Sequence, residues 1–167
     1  VIIGILAAIA IPNFLAMQQR AKEGSVKNNM HSLQVTVEDF NTRSDGYYPA
    51  DLPVTVLGAN PVFDPAHPDA VMCVAASQDP PYGATSMLGD NVKNPFGITV
   101  ATPTLLDGAL AFGQTGTTGY EASNTPGEDP LVGPWTEAVG GPAIVYRIHG
   151  MGVKGQLMLT LSPGVSK

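Results

Sequence analysis

Val1 to Pro12 reads VIIGILAAIAIP, and no charged residue occurs before Arg20. An apolar run of about a dozen residues is shorter than the ~20 that a membrane-crossing helix needs. The chain opens on Val1 without an initiator Met, and the expectation is that further apolar residues precede it. With them the segment would reach spanning length, and Arg20 and Lys22 would mark where it leaves the lipid. The run has a weak point. Pro12 cannot donate the hydrogen bond that the Ala8 carbonyl would accept in a helix, and Gly4 adds a second soft position. Ile2, Ile3, Ile5, Ile9 and Ile11 are β-branched and indifferent helix formers. The stretch between Gly4 and Pro12 is therefore expected to loosen wherever neighbouring protein satisfies its backbone.

Beyond the run, residues 13–43 contain no proline, and Val26, Met30, Leu33, Val37 and Phe40 recur at steps of four, three, four and three. That spacing is a helical stripe, with Lys27, Asn28, Gln34 and Glu38 off it. The 31 residues from Asn13 to Arg43 would extend about 46 Å at 1.5 Å per residue. Two heptads are too few for a stable coiled-coil seam, so the stripe is expected to pack on a sheet. Gly24-Ser25 is a soft spot and Asp45-Gly46 a closing turn.

The rest of the chain reads as small pieces. Prolines divide Tyr47 to Asp90, where Val71 to Ala76 is a short strand expectation; Ile98 to Ala101 is another, behind the turn Asn94-Pro95-Phe96-Gly97. Gly113 to Gly141 reads as a surface loop. The clearest β signal comes last: Ile144, Tyr146 and Ile148 alternate with Val145, Arg147 and His149. Gly150 to Gly155 turns the chain, and Leu157, Leu159 and Leu161 alternate in their turn. The fold class is α+β, a long N-terminal helix laid on a small antiparallel sheet. It divides into residues 1–43, apolar over 1–15 and amphipathic over 16–43, and a head over 44–167.

The string GILAAIAIPNF at Gly4 to Phe14, followed by a polar helix, resembles the N-terminal helix of the type IV pilins and type II secretion pseudopilins. DGYYP at Asp45 to Pro49 and NPFG at Asn94 to Gly97 are similar to shorter pieces found in the same superfamily. The resemblance implies a pilin-like fold. It implies that Val1, Ile2, Ile3, Gly4, Ile5, Leu6, Ala7, Ala8, Ile9, Ala10, Ile11, Pro12, Phe14 and Leu15 form the filament core after assembly and a lipid-embedded anchor before it. It also implies partners: copies of the chain, minor pilins, the inner-membrane assembly machinery and inner-membrane lipid. The implied function is a structural subunit of a helical type IV pilus, extracellular once assembled. The alternatives are a type II secretion pseudopilin and, from another class, a membrane-anchored binding domain. The disulfide-closed loop common in the family has no counterpart, because Cys73 is the single cysteine.

The residues offer little that could carry chemistry. No G-x-S-x-G, Walker A, H-E-x-x-H or C-x-x-C occurs, and His31, His67 and His149 are far apart in sequence. Each reads as a surface or edge residue, Cys73 as a small buried hydrophobe, and Glu128, Asp129 and Glu137 as solvated carboxylates. No enzyme activity and no cofactor are expected. The net charge is −6, and from Asp45 to Asp129 ten acidic residues face only Lys93, which disfavours nucleic acid as a partner. Arg20, Lys22 and Lys27, clustered behind the apolar start, read either as a membrane-proximal flank on the cytoplasmic side or as a plain solvated helix face.

Overall fold

Ile2 to Arg43 forms one unbroken helix, α1, in the computed structural model of the chain. The residues described are 1–43, 46, 48–49, 92–97, 105–107, 113–129, 131, 135–137, 143–163 and 165–166. At 42 residues the helix extends about 63 Å. It runs through Gly4 and Pro12 without a break, so in the single chain the missing Pro12 N–H does not end the helix. Loosening there, expected for packed helices, concerns the assembled state. At the far end the Gly46 N–H donates to the Asn41 carbonyl at 3.0 Å. Gly46 takes a φ of 89° to do so, the left-handed conformation that ends helices on glycine. Asp45 lies outside the described residues.

The sheet has five strands among the described residues: β1 Leu105–Asp107, β2 Thr118–Ser123, β3 Val145–Met151, β4 Leu157–Ser162 and β5 Val165–Ser166. They lie in sequence order. From β2 to β5 neighbours are antiparallel, and β1 joins the β2 edge in parallel. The β3–β4 hairpin has the expected alternation, with Ile148 opposite Leu161. Its turn is tighter than the expected Gly150 to Gly155: β3 continues to Met151 through a bulge at Gly150, and the Gly152 N–H closes the turn on Gln156.

Helix and sheet share one core. Met30, Leu33, Val37 and Phe40 cluster with Tyr120, Ala122, Tyr146, Ile148 and Leu161. Val26 is also fully buried. Gly150 is what lets the two layers meet, because a Cβ there would drive into the Met30 sulfur and press on Val26. Inside the core the Tyr120 and Tyr146 rings stack at 6.0 Å, and Tyr48 meets Tyr146 edge-on at 4.7 Å. The Tyr120 hydroxyl donates to the Pro49 carbonyl at 2.6 Å.

One expectation is overturned. Part of the segment Gly113 to Gly141 is no surface loop: Thr118 to Ser123 is strand β2, paired on both sides and buried at all six positions. Its sequence, TGYEAS, carries Gly, Glu and Ser, which are depleted in strands. Burial on both faces also erases the alternation by which a half-exposed strand is recognised. The expected strands at Val71 to Ala76 and Ile98 to Ala101 lie outside the described residues.

Candidate assembly interface

The two halves of α1 have opposite surroundings. From Val1 to Met17 the large apolar side chains are open to solvent, Ile3 at 83% and Phe14 at 64% exposure. A Cβ added at Gly4 would meet no atom within 4 Å. Each such Ile, Leu or Phe loses about 1.5–3 kcal/mol by staying in water, and a continuous apolar surface of this kind marks an interaction site or a membrane segment. By length and composition α1 contains a stretch able to cross a bilayer.

The second half of the helix is held to the head at several heights. Near the neck, Glu23 Oε1 accepts from the Val153 N–H at 3.3 Å. One turn and a half further, the Asn29 side-chain amide donates to the Lys93 carbonyl at 2.8 Å. Higher still, the Tyr146 hydroxyl donates to Glu38 Oε1 at 2.7 Å. With the apolar stripe between them, these bonds fix the helix axis relative to the sheet, so the free half projects in a set direction. Segment 92–97 is itself built around Asn94. Its amide donates to the Thr115 carbonyl at 3.0 Å and its Oδ1 accepts from the Phe96 N–H at 2.9 Å.

On the side of the sheet away from α1 lies a buried ionic group that sequence reasoning missed. Glu121 on β2 is 4% exposed. It accepts two bonds from the Arg147 guanidinium, at 2.8 and 3.0 Å, and one from His149 Nε2 at 2.7 Å. His149 Nδ1 meets the Thr160 hydroxyl at 3.0 Å, and Trp135 covers Arg147 with its ring 4.3 Å away. Burial pushes the Glu121 carboxyl up; the bonds from His149 and Arg147, with the charge of Arg147, outweigh it and hold the group below the ordinary carboxylate range. His149 is thus a buried strand residue, not the surface or edge residue its place in the sequence suggests. The available signal was the i, i+2 spacing of Arg147 and His149, which sets both on one face of a strand.

Other candidate residues stay apart. His31 is exposed on α1, whereas His67 and Cys73 lie outside the described residues. Glu128 accepts from the Thr136 N–H and Asp129 from the Leu131 N–H, so both serve local turns. No group of His, Cys, Asp and Glu that could hold a metal occurs among the described residues.

Over 46 residues the sequence is 48% identical to the type IV major pilin protein PilA of Myxococcus xanthus (strain DK1622). The chain is pilin-like. The matched part is 28% of this chain and 21% of that relative, so the match spans about a fifth of the relative's length. No family model matches the chain, and no solved structure matches it significantly. The pilin-like character accordingly rests on two findings, the identity to a major pilin and the architecture of a long, half-exposed apolar helix on an antiparallel sheet.

Proposed function

We propose that this pilin-like chain is a structural subunit, of the major-pilin kind, of a helical type IV pilus filament. Before assembly its apolar half-helix holds it in the inner membrane. The observation that carries the reading is the division of α1: the stripe Val26, Met30, Leu33, Val37 and Phe40 is buried on the head, while the large apolar side chains from Val1 to Met17 are exposed. A surface of that size is stable in lipid or against other copies of itself, and lateral packing of many copies buries it most completely. A head-to-tail contact that does not close by rotation generates an open fibre. In that fibre Val1 to Leu15 form the core, the heads form the outer wall, and the segment from Gly4 to Pro12 loosens as neighbours take over its unsatisfied backbone. Minor pilins and inner-membrane assembly machinery are the further partners, and the finished filament is extracellular.

Deleting residues 1–15 tests the reading. Sheared extracellular fractions of the parent strain should contain the chain in filaments visible by negative stain, and the deletion should abolish them. Filaments that persist after the deletion, or a parent chain that is never found in the sheared fraction, would sink the proposal.

A further inference from the structure

Five Lys and Arg residues among those described lie near the neck. Arg20, Lys22 and Lys27 lie on α1 where it enters the head. Lys93 is brought against the same stretch of helix, on a surface groove lined also by Ala21, Gly24, Ser25 and Asn28. Lys22 sits over the Phe96 ring at 5.3 Å. Lys154 comes to the same level from the β3–β4 turn, because the neighbouring Val153 N–H is bonded to Glu23 on the helix. Arg20, Lys27, Lys93 and Lys154 are exposed. Three separate parts of the chain therefore place cations around one point, the neck, although the chain as a whole carries a net charge of −6.

The neck is also where the apolar helix stops. No charged residue occurs from Val1 to Gln19, and Arg20 is where charge first appears along the helix. A chain anchored by that run carries Arg20 at the headgroup level, and Lys27 stands about 10 Å above it, still near the Debye length of physiological salt.

We propose that this collar of Arg20, Lys22, Lys27, Lys93 and Lys154 seats the head on the anionic phospholipid headgroups of the membrane that holds the unassembled subunit. Its cations meet lipid phosphates. The seat is electrostatic, so it holds the subunit upright and gives way when the helix is withdrawn into a filament. The inference rests on the anchoring reading above.

The test uses the full chain reconstituted into vesicles of neutral phosphatidylcholine, or of phosphatidylcholine mixed with phosphatidylglycerol. Lysine acetylation by N-hydroxysuccinimide acetate is followed residue by residue. Lys93 and Lys154 should react about fivefold more slowly on the anionic vesicles, the ratio set by the attraction of one basic residue to such a surface. High salt should remove the difference. Equal rates on both vesicles would overturn the collar and leave the anchor standing. A chain that floats with neither vesicle would overturn the anchor itself. As a second measurement, R20Q/K22Q/K93Q/K154Q should still float with neutral vesicles but lose its preference for anionic ones; a preference kept by this variant counts against the collar.

Discussion

The Tyr146 hydroxyl donates to Glu38 Oε1 at 2.7 Å, joining the start of β3 to the helix across 108 residues of chain. Tyr146→Phe should cost about 1 kcal/mol in urea unfolding of the detergent-solubilised chain. The same site governs alkaline stability. Burial, the bond to Glu38 and its negative charge raise the Tyr146 pKa above 10.0, and burial and Glu38 raise that of Tyr48. A raised folded pKa stabilises fully below the unfolded value, so stability should fall as pH climbs past 10. Absorbance titration should show Tyr48 and Tyr146 ionising only as the fold opens.

Glu121 gives the opposite pH dependence. Its folded pKa lies below the ordinary 4.5, so its stabilisation is present above pH 4.5 and is lost as pH falls below that value. Glu121→Gln leaves Arg147 charged without its bidentate partner, at a cost of about 3 kcal/mol at neutral pH. The gap between the two proteins, followed by thermal unfolding, should narrow steadily below pH 4.5.

Gly116 and Gly46 separate backbone strain from crowding. Both have positive φ, 77° and 89°, but a Cβ at Gly46 meets nothing whereas one at Gly116 strikes the Asn94 side chain. Gly46→Ala should cost about 1 kcal/mol. Gly116→Ala should cost about 1–3 kcal/mol more, by overpacking against a buried residue. Equal melting temperatures for the two variants would contradict this.

Leu33 and Val35 lie two residues apart on α1, one fully buried and one 69% exposed. Leu33→Ala should lose about 2–5 kcal/mol of unfolding free energy, and Val35→Ala less than about 0.5 kcal/mol.

Ile9→Asp tests the exposed half-helix against the head. Ile9 is 64% exposed, so the head's unfolding midpoint should not move. On the proposed function, filament yield in sheared fractions should collapse, because the variant would place a charge in the proposed fibre core.

How much of this was legible beforehand depended on periodicity. The uncharged run before Arg20, the stripe from Val26 to Phe40 and the alternating pair at Ile144 to Leu161 are local patterns. Burial on one face dictates each of them, so the composition of each segment announces its role. These are enough to decide a long helix, apolar over its first half, on a small antiparallel sheet.

Tertiary structure alone decided the rest. Strand β2 became visible only once Tyr120 and Glu121 were each buried on opposite faces, a condition that removes the alternation a reader looks for. The ionic group unites Glu121 with Arg147 and His149 because β2 and β3 pair in one register, and no spacing along the chain encodes that register. The neighbourhood of the neck has the same origin: Lys93 and the turn that carries Lys154 are tied to α1 through hydrogen bonds from Asn29 and to Glu23. A local pattern can state which face of a segment seeks burial, but only packing chooses which segments bury one another.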